Sequence, residues 1–323
     1  MDEKDFRDVT VIGHKNPDTD SVCCAIALAE MLNAIGIHAR AARAGSLNNE
    51  TKYILSLFGV QEPELITRAE DQNFILVDHS SYAQAVDGLR SADVQGIIDH
   101  HDGRDIRSDH VMFVRCEPAG AAASLVYREF RKRAFQFSQK TAGLLLAAIL
   151  SDTRNMTRNV TEADQTAFGA LKAASGIADT DALYRKMKEA LVSYGDMNDQ
   201  EIFFSDYKEY ETEEIRYCIA DTNAYGEAAV REMAKRMHEV LKQHCEASSL
   251  QYAFSLVNNK GDDPGENGMY MTAYPEEAVQ LLQEAFGTCD GTGCFIFRNN
   301  LSRKTAVVPA INAILRKSKA ETV

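Results

Sequence analysis

A chain of 323 residues, 45% hydrophobic and 26% charged, has the composition of a globular protein long enough for two domains, each with its own core. Its 48 acidic residues against 35 Lys and Arg give a formal charge of −13. That balance excludes a protein built mainly to grip a long nucleic-acid backbone, which demands a basic face. A small anionic substrate stays open, because a few cations converging on one pocket suffice.

The first predicted strand, VTVI at 9–12, stops at Gly13 and releases His14, Asp18 and Asp20 into a short loop before an apolar helical run opens at Val22. A helix over 22–34 follows, then a strand over 37–44 and helical spacing over 47–58. FILV at 74–77 and GII at 96–98 are short buried strands, each running into an acidic, histidine-bearing end, and residues 111–114 form one more. Strands and helices alternating at this interval predict an α/β fold with a doubly wound, mainly parallel sheet.

Residues 120–133, 138–150, 161–175 and 179–192 read as helices, the third opening on a capping box with Asp164 in the fourth position. The polar stretch SYGDMND at 193–199 breaks the periodicity, so the expected division is a first domain at 1–192, a linker at 193–199 and a smaller α/β domain at 200–323. Within the latter, strands are expected at 216–220, 252–257, 269–272 and 294–297, with helices at 226–244 and 276–286, a polar turn at 258–268, and a last helix after Pro309. Seven cysteines without a CxxC pair, Cys23, Cys24, Cys218 and Cys294 among them in apolar runs, read as reduced thiols. The charged N-terminus MDEKDFRD carries no signal-peptide pattern, and no apolar run reaches the roughly 18 residues of a membrane span. The expected location is cytoplasmic, with no membrane and no nucleic acid as partner.

Asp78-His79 ends the FILV strand, Asp99-His100-His101 ends the GII strand, and Asp152 follows the apolar helix in Ser151-Asp152-Thr153. With His14, Asp18 and Asp20 they make a mixed carboxylate and imidazole set at element ends, where open α/β sheets keep their chemistry. Carboxylates neutralise charge and can bridge two cations, whereas imidazoles favour first-row transition metals over Mg²⁺. Taken singly, Asp20 and Ser21 read as turn formers and a helix cap, and Asp102, His38, His110, His238 and His244 read as solvated side chains. The repetition at successive strand ends favours a metal site.

HKNPDTDS, VDH, DHH and SDT, in this order, resemble the DHH phosphoesterase superfamily. The wording GHKNPDTDS, with Ser302-Arg303-Lys304 near the C-terminus, is similar to the family II, manganese-dependent inorganic pyrophosphatases, and EPAGAAASLVY at 117–127 and AGLLLAAILSDT at 142–153 extend the likeness over essentially the whole chain. The resemblance implies a DHH domain and a DHHA2-like domain with the active site in the cleft between them. It implies that His14, Asp18 and Asp78 hold one Mn²⁺, and that Asp20, Asp78, His100 and Asp152 hold a second, with Asp78 bridging. His101 would stand at the substrate edge, while Lys208, Arg303 and Lys304 would bind phosphate, Arg as a bidentate fork and Lys as a point charge. As bare composition these three cations read equally as solvated surface charges.

The implied reaction is hydrolysis of inorganic pyrophosphate to two phosphates by a hydroxide that two metals activate, with Co²⁺ able to replace Mn²⁺ and Mg²⁺ arriving with the substrate. A homodimer through an edge strand of the first domain is also implied. Ser80 where Asn is expected, TRNMTRNVT after Asp152, and Thr305 in place of a second Lys depart from the family pattern without removing a ligand. Two rivals are a DHH phosphodiesterase of short oligonucleotides or cyclic dinucleotides, and a catalytically silent binding protein on the same fold. The first goes with a Gly-Gly motif that this chain lacks, and the retained ligand set speaks against the second.

Overall fold

A computed structural model of the chain describes residues 8–69, 72–107, 111, 113–261, 268–287, 295–297 and 301–321. The expectations for residues 1–7, His110 and Cys294, and for residues 262–267 of the polar turn, lie outside the described residues. The chain divides into two compact units, Met1–Leu191 and Val192–Val323. Among the described residues, no helix is long and apolar enough to cross a membrane.

The first unit is built on strands β1 (Val9–Ile12), β2 (Ala39–Arg43), β3 (Glu64–Leu65), β4 (Asn73–Val77), β5 (Asp93–Asp99) and β6 (Phe113–Cys116), in the spatial order β3-β2-β1-β4-β5-β6. Every neighbouring pair is parallel, as the alternating pattern predicts. The chain moves outward from β1 in one direction and resumes at β4 in the other. The order therefore reverses between β1 and β4, and a crevice opens at the carboxyl ends of these two strands.

Successive side chains alternate between the faces of the sheet. Val9, Val11, Ile75, Val77 and Ile98 join a core with helices α1 (Thr19–Ala34), α2 (Asn49–Leu57), α3 (Ala122–Lys132), α4 (Gln139–Asp152), α5 (Glu162–Ser175) and α6 (Thr180–Leu191). Ile12, Phe74, Leu76, Val94 and Ile97 face the other way and pack with Ile66, Val86, Leu89 and Ile106. Strands buried on both faces read as unbroken apolar runs, and VTVI and FILV do. Helix α4 is apolar around its circumference from Thr141 to Leu150, where it is buried on every side, with Leu144, Leu145, Leu146 and Leu150 at most 1% exposed.

Gly13 ends β1 for a steric reason. A Cβ there would lie 1.7 Å from the Ser21 hydroxyl, which accepts a hydrogen bond from the His14 amide at 3.1 Å. Only glycine lets the chain turn that tightly beneath α1.

The second unit opens with α7 (Asp199–Ser205) and carries a mixed five-stranded sheet in the order β11-β10-β9-β8-β7. Its strands are β7 (Tyr207–Thr212), β8 (Ile215–Ala224), β9 (Tyr252–Asn259), β10 (Met269–Tyr274) and β11 (Phe295–Phe297), and β8 and β9 form the parallel pair. Helices α8 (Glu227–Ala247), α9 (Glu276–Phe286) and α10 (Val308–Glu321) complete it, and a π-type turn over Arg303–Val307 leads into α10.

Candidate metal centre

Six polar side chains meet at the crevice between β1 and β4. His14 follows β1, Asp18 caps α1 and Asp20 lies in its first turn, while Asp78 follows β4, His100 follows β5 and Asp152 ends α4. Three sets of donor atoms each fall within 4.8 Å of one another: His14, Asp18 and Asp78; Asp20, Asp78, His100 and Asp152; and Asp78, His100 and His101. Asp78, 1% exposed, belongs to all three. Its Oδ2 lies 3.2 Å from His14 Nε2 and its Oδ1 lies 3.1 Å from His100 Nε2. His14 Nε2 is also 3.4 Å from Asp18, and His100 Nε2 is 3.7 Å from Asp152 and 4.0 Å from Asp20.

The backbone sets these positions. Asp78 has a φ of 61°, the left-handed region that Asp tolerates better than bulkier residues, and its amide donates to Ile98 O at 2.8 Å. That bond ties the end of β4 to β5 and turns the carboxylate inward. Asp20 is fully buried, and its carboxylate accepts from the amides of Ala122 at 2.6 Å and Ala123 at 2.9 Å, at the positive end of α3. Asp152 has the opposite situation: it sits on the last turn of α4, where the helix dipole disfavours a carboxylate unless a cation is near.

The acid–base states record the crowding. Burial opposes the charged form of His14 and His100, yet the facing carboxylates outweigh it and raise both imidazoles to about 10. Burial also works against Asp78, and the two imidazoles overcome it, holding this carboxyl at about 2. Burial and then the Asp78 charge lift Asp20 to about 7, and burial with the Asp20 and Asp18 carboxylates lifts Asp152 as well. Asp78 Oδ1, Asp78 Oδ2 and His100 Nε2 are shielded from solvent and make no hydrogen bond. Their contacts with one another are ion pairs without hydrogen-bond geometry, and buried donors converging in this way on one carboxylate form a coordination set. Imidazole and carboxylate together suit a first-row divalent ion.

Beside this set stands His101, about half exposed, 3.7 Å from Asp78 through Nδ1. Its Nδ1 lies 2.9 Å from Asp99 Oδ1, which also accepts the His101 amide at 3.0 Å. The other Asp99 oxygen takes the Ser80 hydroxyl at 2.5 Å. Burial alone would raise the Asp99 pKa, but the hydrogen bonds from His101 and Ser80 bring it below the usual carboxylate range. Asp99 in turn raises the His101 pKa. A polar recess of about 350 Å³ adjoins them, lined by His100, His101, Asp102, Arg104, Cys116 and Glu117.

The three expected phosphate-binding cations lie in the second unit. Lys208 is exposed on β7, opposite Ile219 in register, and Lys304 is exposed in the π-type turn. Arg303 is buried: its guanidinium donates to Asp206 Oδ1 at 2.5 Å, Asp206 O at 2.7 Å and Ile219 O at 3.4 Å. Ile219 is thus both the register partner of Lys208 and a backbone acceptor for Arg303. His38 and Asp102 are exposed as expected. His244 departs from expectation: it is half-buried against Phe203 and Phe204 and faces the Tyr207 hydroxyl at 2.8 Å. His238 is half-buried too.

Sequence comparison gives this arrangement a class. Residues 8–149 match the DHH family N-terminal domain and residues 185–314 match the DHHA2 domain, which makes the chain a two-domain DHH–DHHA2 protein. The manganese-dependent inorganic pyrophosphatase of Methanothrix thermoacetophila is 30% identical over 311 residues, covering 96% of this chain and 99% of that one. The crystal structure of a Methanococcus jannaschii protein assigned to the family II inorganic pyrophosphatases aligns with a TM-score of 0.57 at 27% identity, over 94% of this chain and 98% of that one. The chain belongs to the manganese-dependent inorganic pyrophosphatases. An exopolyphosphatase-related protein of Bacteroides fragilis, 14% identical with a TM-score of 0.50 over 96% of this chain and 93% of its own, shares the fold.

Proposed function

We propose that this protein hydrolyses inorganic pyrophosphate to two phosphates with manganese as its metal. The observation that carries the reading is the convergence of His14, Asp18, Asp20, Asp78, His100 and Asp152 around one buried carboxylate, with solvent-shielded donors that make no hydrogen bond. His14, Asp18 and Asp78 hold one ion, and Asp20, Asp78, His100 and Asp152 hold the other. When bound, manganese supplies Lewis acidity, neutralising phosphate charge and making water a usable nucleophile near neutral pH.

The remaining work belongs to the chain. Asp99 takes the Nδ1 side of His101, so Nε2 is the atom left to exchange a proton with a phosphate oxygen. A raised His101 pKa keeps that proton available near neutrality. Lys208, Arg303 and Lys304 bind the phosphates and offset their charge, Arg303 being pre-aligned by Asp206. Mg²⁺ accompanies the substrate, Co²⁺ can replace Mn²⁺, and the protein works as a cytoplasmic homodimer without nucleic acid.

The test is phosphate release from Mg-pyrophosphate by metal-stripped protein, with and without Mn²⁺, beside a dinucleotide control. Mn²⁺-dependent release with an inert dinucleotide supports the reading. Cleavage of the dinucleotide in preference to pyrophosphate overturns it.

A further inference from the structure

Two hydroxyl groups that flank the metal-facing carboxylates in sequence converge on one buried acid away from them. Thr19 lies between Asp18 and Asp20, and Ser151 precedes Asp152. Thr19 Oγ1 donates to Glu50 Oε1 at 2.9 Å, and Ser151 Oγ donates to the same oxygen at 2.5 Å. The second oxygen, Oε2, takes Lys188 Nζ at 2.8 Å. Glu50 is 2% exposed and the Lys188 side chain 12%. One carboxylate therefore ties together α1, α2, α4 and α6.

The arrangement is more specific than a stability pair. Burying an ion pair costs desolvation that apolar side chains of similar volume avoid, so stability alone does not account for this one. Here the acid is linked through Thr19 and Ser151 to a cluster that already crowds four carboxylates, Asp18, Asp20, Asp78 and Asp152. Lys188 neutralises it, and its remaining acceptor capacity goes to Thr19 and Ser151. The donors of the second set come from α1, through Asp20, and from α4, through Asp152, two carboxylates that cannot bridge to each other while both are charged. Besides the shared α1–α4 core and the α3 amides that hold Asp20, their separation depends on what ties the two helix ends together.

We infer that Glu50, held by Lys188, is a positioning residue that fixes the spacing between the α1 and α4 carboxylates through Thr19 and Ser151, and so sets how tightly the pair of divalent ions is bound. The inference rests on the manganese reading above. Glu50 touches neither ion nor substrate. Removing a partner that orients a metal ligand lowers metal affinity by about 10–100-fold.

The experiment titrates Mn²⁺ into the metal-stripped full chain, following the electron paramagnetic resonance of free Mn²⁺, for wild type, Ser151→Ala, Glu50→Gln and Glu50→Gln/Lys188→Met. Melting of each metal-free protein is recorded alongside. Ser151→Ala is expected to weaken one Mn²⁺ by about 10-fold and leave the other within about twofold. Glu50→Gln is expected to weaken both. Adding Lys188→Met should restore the melting temperature, because no buried charge is left unpaired, without restoring Mn²⁺ affinity. Affinity that stays at the wild-type level in Ser151→Ala and in the double variant overturns the inference, as does affinity that recovers in step with melting. Since Ser151→Ala removes one exchangeable hydroxyl, it decides the matter even where Glu50→Gln fails to fold. A wild-type protein that takes up no Mn²⁺ overturns the functional reading and this inference with it.

Discussion

Replacing Asp164 with Ala probes how the fold holds the site from a distance. Asp164 is fully buried in the first turn of α5, where its carboxylate completes a capping box by accepting the Thr161 amide at 2.7 Å. The same carboxylate accepts Gly120 N at 2.7 Å, Ala121 N at 3.3 Å and the Ser124 hydroxyl at 2.6 Å, at the start of α3. The next two amides of α3 hold Asp20. Loss of the cap costs about 1 kcal/mol. Leaving two buried amides without an acceptor costs about 1–3 kcal/mol each. The sum, roughly 3–7 kcal/mol, is a large part of the 5–15 kcal/mol typical of a folded chain. Because two units need not unfold together, the assay is hydrogen exchange of α3 peptides under native conditions, with urea unfolding followed by circular dichroism. Faster exchange in α3 and weaker Mn²⁺ binding are expected together. The sign of the pH effect follows from the depressed Asp164 pKa, in which hydrogen bonds from Ser124, Thr161 and Gly120 overcome burial. Its stabilisation is full above the ordinary carboxylate pKa and disappears as pH falls through the lowered one, so variant and wild type should converge in acid. A stability loss under about 1 kcal/mol with unchanged α3 exchange would refute the reasoning.

Further expectations concern the centre itself. In the metal-free protein His14 and His100 are held at about 10, so binding a metal that needs neutral imidazole should expel at least two protons per chain near pH 7.5, with the raised Asp152 and Asp20 carboxyls adding to the number. Calorimetry in buffers of different ionisation heat measures that number, and a pH-independent Mn²⁺ affinity would contradict it. The same two groups lend the metal-free protein stability that is complete below about 6.5 and lost as pH rises through about 10, which alkaline melting curves report. Ser80→Ala removes the 2.5 Å bond to Asp99 and should lower kcat by about 10-fold while Mn²⁺ affinity holds, since it loosens His101 and none of the six residues assigned to the two ions. Asp206→Ala frees the Arg303 fork and should raise KM for pyrophosphate by about 10-fold with a smaller change in kcat. Steady-state kinetics separates the two cases.

Much of the first unit is legible because a buried parallel strand announces itself twice, by an unbroken apolar run and by the polar residues at its carboxyl end. VTVI and FILV are strands, and the His and Asp residues after them mark the crevice where the strand order reverses. Asp152 is readable for a similar reason, at the end of the apolar helix α4. Strand β7, YKEYET, is not legible: Lys208, Glu209 and Glu211 are exposed on it, so it carries no continuous apolar face, as suits a strand at the end of a sheet. Glu50 gives no signal either, because Asn48-Asn49-Glu50-Thr51 reads as a helix start, and Asn48 does cap α2. Its links to Ser151 and Lys188 span 101 and 138 residues, beyond any local pattern. The half-burial of His244 is hidden for the same cause, since Phe203, Phe204 and Tyr207 reach it only through the fold.

The departures around Asp152 also have a structural form. Arg154, Asn155, Met156 and Asn159 all adopt positive φ, a conformation that Asn accepts and that Arg and Met do not favour. The segment closes α4 through Asn155 N to Leu150 O and Arg158 N to Thr153 O, each at 2.8 Å. The unusual sequence after Asp152 is therefore a left-handed helix stop built without glycine, next to the carboxylate that the α4 dipole disfavours.

The measurement that bears most directly on the central claim compares wild type with Asp78→Ala, counting Mn²⁺ bound per chain and phosphate released from Mg-pyrophosphate in the same preparation. Asp78 is shared by the donor sets of both ions, so its loss should abolish tight Mn²⁺ binding and pyrophosphate turnover together while the chain stays folded. An Asp78→Ala protein that keeps both its manganese and its full activity would contradict the two-ion assignment.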